Sequence, residues 1–218
     1  MDWQTTSEDT VPSAPVTEAD VRLLRARPPA TGAWRDGDPA GGRSFASFGA
    51  FATESGAELP GIRLAFETWG ELNDARDNAI LVLHALTGDS HVRGGAGAGH
   101  PTAGWWEDVT GPGGPLDTDR WFVIAPNMLG GCQGSTGPAS IAPSGYEWAS
   151  RFPYLTIRDQ VAAQVRLADS LGIDTWAAVI GGSMGGMHAL EWAARTLIAS
   201  PASQCSPPRP SPLPIRSP

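Results

Sequence analysis

Lysine is missing from all 218 residues, so each of the 15 basic side chains is an arginine. That excludes a Schiff-base lysine, a Ser-Lys dyad and a P-loop lysine. Cysteine is scarce too. Cys132 and Cys205 alone cannot build a disulfide framework, which makes a cytoplasmic location the default expectation. No run of about 18 apolar residues occurs, and the acidic start MDWQTTSEDT has neither the basic nor the apolar region of a secretory signal. With a formal net charge of -8 and no basic cluster, nucleic acid and anionic membrane surfaces are poor partners. A dinucleotide loop is missing as well: in RGGAGAGHP, His100 stands where a third glycine belongs, and Pro101 follows.

What is present falls into blocks. Residues 1–43, rich in Pro, Ala, Thr, Gly and Asp without sustained periodicity, read as a flexible leader with a short helix over TEADVRLLRAR. Beyond them, two β-rich runs flank Glu54-Ser55-Gly56, which predicts an antiparallel hairpin. NAILVLHAL (78–86), WFVIAPN (121–127) and TWAAVIGG (175–182) read as strands buried on both faces. Between the last two, TIRDQVAAQVRLADSLGI predicts a helix. Thr156 is its N-cap with Asp159 three residues on, its stripe is Ile157, Val161, Val165 and Ala168, and Gly172 is its stop. A second helix follows over MGGMHALEWAARTL, with Met187, Leu190, Ala194 and Leu197 as its apolar side. Buried strands alternating with helices predict an α/β domain over 44–198 on a mostly parallel sheet. The seven prolines after position 200 make 199–218 a Ser/Pro-rich disordered tail.

The chemistry concentrates at Gly181-Gly182-Ser183-Met184-Gly185, a G-x-S-x-G between a strand and a helix. A serine on so tight a turn is strained, and side chains two positions either side would collide with the neighbouring strand and helix. Ser183 is the candidate nucleophile, and the Met184 amide at the helix N-terminus is the first candidate oxyanion donor. The second donor is expected from the Ala85-Leu86-Thr87-Gly88 loop. His84 lies upstream of the serine, whereas this fold orders its triad Ser, acid, His, so His84 reads as loop-shaping. His188 sits beyond the first turn of the elbow helix, and no metal-ligand spacing surrounds His91 or His100. None of the four histidines reads as a general base.

Three longer blocks extend the elbow: FETWGELNDARDNAILVLHALTGDSHV, GWWEDVTGPGGPLDTDRWFVIAPNMLGGCQGSTGP and FPYLTIRDQVAAQVRLADSLGI. Together with IGGSMGGMHALEWA they resemble the homoserine O-acetyltransferases, α/β-hydrolase-fold acyltransferases of methionine biosynthesis, over residues 44–195 or about the N-terminal half of such an enzyme. The resemblance implies an α/β-hydrolase fold with Ser183 as nucleophile and the Leu86 and Met184 amides as oxyanion hole. It also implies ping-pong transfer of acetyl from acetyl-CoA, a substrate rather than a cofactor, to L-homoserine, with no metal. A homodimer is implied for the intact family. Asn127–Cys132 and Gly134–Pro138 resemble the signature beside the family's active site; Cys132 reads as a packing or substrate-lining residue. Serine acetyl transfer, homoserine succinyl transfer and ester hydrolysis are alternatives on the same fold. A non-catalytic module whose PPRPSPLP tail docks to an SH3-like groove is another.

After Ser183 the only Asp, Glu or His residues are His188 and Glu191. The family's triad Asp and His, its later strands and its lid are thus expected to be absent. The shift from EWAAR to the Pro-rich tail reads as a truncated or frame-shifted product of a GC-rich gene. Negligible transfer is expected from the chain alone.

Overall fold

The computed structural model describes residues 32–198. The readings for residues 1–31 and 199–218 fall outside these, as do those for the Leu197 side chain and Cys205. Among the described residues there are seven strands: β1 (Ser44–Phe48), β2 (Phe51–Ala52), β3 (Glu58–Leu59), β4 (Ile62–Trp69), β5 (Ala79–Leu83), β6 (Phe122–Pro126) and β7 (Trp176–Gly181). Two helices follow the pattern above, α1 (Ile157–Leu171) and α2 (Met184–Ile198).

The main sheet has the order β1-β4-β6-β5-β7. β4 runs antiparallel to both neighbours, while β5 is parallel to β6 and to β7. All but β4 therefore point the same way, which is the mostly parallel sheet that the apolar runs imply. The hairpin forms as β2 against β3, turning through Gly56 at φ +83°. The β5-to-β6 crossover, residues 84–121, contains no helix.

α1 begins on a complete capping box. The Thr156 side chain accepts from the Asp159 amide, the Asp159 carboxylate accepts from the Thr156 amide, and Gly172 ends the helix at φ +70°. Its buried face differs from the periodic reading: Gln164 is buried and Val165 only half-buried. Gln164 is satisfied inside, donating from Nε2 to Met128 Sδ at 2.8 Å and accepting from Trp192 Nε1 at 2.7 Å.

Two further expectations need correction. β7 is half-buried rather than buried, because it is the last strand of the described sheet. On α2, Met187 and Leu190 are exposed, and the covered side is Met184, Ala189 and Trp192, packed over β5 and β7, with His188 buried toward Gln160 of α1. Residues 32–43, which sequence alone assigns to the leader, are tied to the domain. The Trp34 amide donates to the Cys132 carbonyl, Arg35 pairs with Glu147 at 2.7 Å, and buried Arg43 donates to the Gly99 carbonyl.

Candidate active site

Ser183 stands between the end of β7 and the first residue of α2, at φ +55° in the left-handed region that β-carbon sterics disfavour. The glycines make the turn possible. A β-carbon on Gly181 would lie 2.4 Å from the Gly185 carbonyl carbon, and one on Gly185 would lie 2.1 Å from the Leu83 carbonyl oxygen. Gly182 has open space around it. Only the positions two away from the serine are sterically barred, as the packing argument requires. The same contact seats the start of α2 against the end of β5, where Leu83 pairs with Gly181.

Just beyond that seat the chain turns through Ala85–Gly88, closed by the Gly88 amide donating to the Ala85 carbonyl at 2.9 Å. Leu86 sits on this turn with its side chain 78% exposed. Neither the Leu86 nor the Met184 amide donates to an acceptor among the described residues. The Met184 amide is thus unengaged at the helix N-terminus next to an exposed serine, and the Leu86 amide is unengaged on the turn that follows β5, two donors suited to holding an oxyanion.

His84 shapes the turn rather than facing the serine. Its Nδ1 donates to the Ala85 carbonyl at 2.7 Å, and its Nε2 accepts from the Met128 amide at 3.1 Å. Burial pushes its pKa below the ordinary 6.5, against the pull of the Ala85 carbonyl. A neutral ring with both nitrogens engaged is no base for Ser183. His188 is fully buried under α2, with Nδ1 at 2.7 Å from the Met184 carbonyl and Nε2 at 2.8 Å from Gln160 Oε1. Gln160 spends its own N–H on the Leu129 carbonyl, so both His188 contacts call for a donor and a neutral ring satisfies one. Burial outweighs the pull of the Met184 carbonyl and holds its pKa below the ordinary 6.5. Glu191 lies 3.7 Å from Arg158. Among the described residues none hydrogen-bonds to Ser183 Oγ.

The signature after β6 has a structural role that sequence left unassigned. The Asn127 amide donates to the Ala65 carbonyl and Ser135 Oγ to the Asn127 carbonyl, while the Ala65 and Arg63 amides donate to Ser135 Oγ and Thr136 Oγ1. This staples the loop to β4. Cys132 is exposed, which corrects the packing reading.

Sequence reasoning also missed a buried cluster. Glu67 on β4 accepts from Ser90 Oγ at 2.9 Å and from His91 Nδ1 at 3.0 Å; His100 Nε2 lies 3.5 Å away. The three could be taken for metal ligands, but the geometry speaks against it. The His91 and His100 rings are stacked at 3.7 Å and 10°, so their in-plane lone pairs do not converge. The Gly42 amide already donates to His100 Nε2 at 3.0 Å. No sequence spacing announces this group, because its members come from three separated segments.

Residues 78–215 match the family model described as alpha/beta hydrolase fold. A Leifsonia xyli relative named homoserine O-acetyltransferase is 67% identical over 193 residues, which are 88% of this chain and 48% of its own length. One of the same name from Thermobifida fusca is 62% identical over 184 residues, 80% of this chain and 48% of its own. The chain spans about half the length of the curated relatives it matches. Among solved structures, homoserine O-acetyltransferase from Bacillus anthracis superposes with a TM-score of 0.65 at 34% identity, over 71% of this chain and 43% of that one. Esterase E22 also gives 0.65, at 39% identity, over 69% and 43%.

Proposed function

The chain belongs to the α/β-hydrolase-fold family, and from that premise we propose that it serves homoserine O-acetyl transfer, moving acetyl from acetyl-CoA to L-homoserine in methionine biosynthesis. The observation that carries the reading is the elbow: an exposed serine at φ +55° between sterically obligatory glycines, next to the unengaged Met184 amide that opens the following helix. The identity with relatives of that name supports the choice of acyl group and acceptor.

Ser183 Oγ attacks the thioester carbonyl, and the Leu86 and Met184 amides hold the oxyanion. Collapse forms the acetyl-serine ester and breaks the carbon–sulfur bond, and CoA leaves as a thiolate that takes up the proton. The homoserine hydroxyl then attacks the ester, releasing O-acetylhomoserine and restoring Ser183, which makes the kinetics ping-pong. Water has to be kept from the ester while the acceptor is placed. No described residue is positioned to take the Ser183 proton, so turnover by residues 32–198 alone is expected to be negligible.

Esterase E22 among the similar solved structures favours a second reading, plain ester hydrolysis on the same elbow. One experiment separates them. The purified chain is incubated with acetyl-CoA, with and without L-homoserine, and the tryptic peptide holding Ser183 is weighed together with released CoA and products. Slow accumulation of an acetyl adduct on Ser183, discharged by homoserine to O-acetylhomoserine and absent in Ser183→Ala, supports transfer. Discharge to acetate at the same rate with or without homoserine supports hydrolysis. An unchanged yield in Ser183→Ala removes both.

A further inference from the structure

We propose that Glu67 is a positioning residue for the turn that carries the Leu86 amide, acting through Ser90 and His91; this rests on the acyl-transfer reading above. The turn is gripped at both ends. At its start, His84 bonds the Ala85 carbonyl and the Met128 amide. At its end, Asp89 Oδ1 accepts from the His91 amide at 2.8 Å, and the Asp89 carbonyl accepts from Trp105 Nε1 at 3.1 Å. Both of these contacts stay within the β5-to-β6 crossover and do not reach the sheet. Glu67 makes that link, one carboxylate oxygen taking the Ser90 hydroxyl and the other His91 Nδ1.

The anchor is built to stay fixed. Glu67 is 4% exposed on β4, whose backbone pairs with β6 through Glu67 and Ala125. A β-carbon on Gly42 would lie 2.8 Å from Glu67 Oε2, so the backbone closes over the carboxylate. His100 closes the other side by stacking on His91. A carboxylate with each oxygen engaged holds two donors at once, Ser90 Oγ and His91 Nδ1, in one fixed geometry. A free amide holds an oxyanion well only if it need not reorganise as charge develops. Rigid placement of residues 85–91 is therefore what Glu67 contributes, at the other end of the turn from His84.

The test uses the full chain and needs no turnover. Amide hydrogen exchange is followed by mass spectrometry over residues 84–92 and over α1, for the parent, Glu67→Leu, Glu67→Gln and Ser90→Ala. In parallel, acetylation of Ser183 by p-nitrophenyl acetate is timed by peptide mass. Glu67→Leu, which leaves two buried donors unpaired, is expected to raise exchange in 84–92 about tenfold with α1 unchanged, and to slow Ser183 acetylation by a similar factor. Glu67→Gln keeps an acceptor and should recover most of both. Ser90→Ala, which removes one contact and folds even if Glu67→Leu does not, should raise exchange in 84–92 about threefold. Unchanged exchange there in Ser90→Ala and Glu67→Leu overturns the proposal, as does a rise shared equally by α1. Faster exchange without slower acetylation also overturns it. If the parent shows no acetylation at Ser183, the acyl-transfer reading fails while exchange still judges Glu67.

Discussion

Gly185→Ala is the sharpest probe of the elbow, because the clash it creates is with backbone. The added carbon would lie 2.1 Å from the Leu83 carbonyl oxygen, 2.7 Å from the Leu83 carbonyl carbon and 3.0 Å from the His84 carbonyl oxygen. Real β-carbons do not approach below 3.0 Å, so α2 and β5 must part by roughly 1 Å. Overpacking of this kind costs about 1–3 kcal/mol, and the upper end applies where no side chain can swing aside. Alanine recovers up to about 1 kcal/mol of helix propensity, which leaves a net loss of ~2 kcal/mol. At ~2–4 °C per kcal/mol for a chain of this size, Tm falls by ~4–8 °C. Gly182→Ala and Gly186→Ala are the controls: the first meets nothing within 4 Å and the second meets the Gly181 carbonyl, its oxygen at 3.3 Å and its carbon at 4.0 Å. Urea titration and thermal melting followed by the fluorescence of the nine tryptophans give all three values. If Gly185→Ala is no less stable than Gly182→Ala, the helix does not press on β5 as described, and the steric account of the elbow is wrong.

Four other outcomes are expected. Ser183→Gly should be at least as stable as Ser183→Ala despite glycine's looser unfolded state, because it relieves a left-handed backbone worth about 1–2 kcal/mol; paired urea midpoints decide it. Asp159→Ala should cost about 2–3 kcal/mol, more than the ~1 kcal/mol of an ordinary cap, since this carboxylate also accepts from the Glu54 amide at 2.9 Å. Burial holds the pKa values of His84, His100 and His188 below 6.5. Below that pH the unfolded chain takes up protons that the folded chain refuses. Stability should thus be flat above about pH 7 and fall as the pH drops, by at most ~1.4 kcal/mol per unit for each ring. Urea midpoints across the range check this, and His84→Asn should flatten the slope. Trp192→Phe, which strips the donor from buried Gln164 Oε1, should cost about 1–3 kcal/mol in the same assay.

What could be read in advance follows from how local the information is. The capping box of α1, the Gly56 turn and the glycines around Ser183 each lie within a few residues, and each was legible as physics of the backbone. His84 was legible as loop-shaping from chain order alone. The side of α2 that is covered was not: apolar periodicity marks Met187 and Leu190, but the sheet lies under Met184, Ala189 and Trp192 and the first helix covers His188. The burial of His188 and Gln164 could not be read from the apolar pattern, because their partners, Gln160 and Trp192, sit on the other helix 28 residues away. Glu67 was invisible for the same reason, its partners arriving from the far side of β5.

The helix-free crossover between β5 and β6 has a kinetic consequence. Leu81 pairs with Ile124 across the whole of it, whereas Ala52 pairs with Glu58 across a short turn. Closing the longer loop costs about 2 kcal/mol more in chain entropy, with no local helix to shorten the search. The β2–β3 hairpin and α1 can form early from neighbours in sequence, but the centre of the sheet has to wait for distant strands. Refolding from urea should therefore show fast helical ellipticity and a slower phase as the β5–β6 ladder zips. The turn bearing Leu86 hangs from that ladder, so it should be among the last parts of the molecule to take its final place.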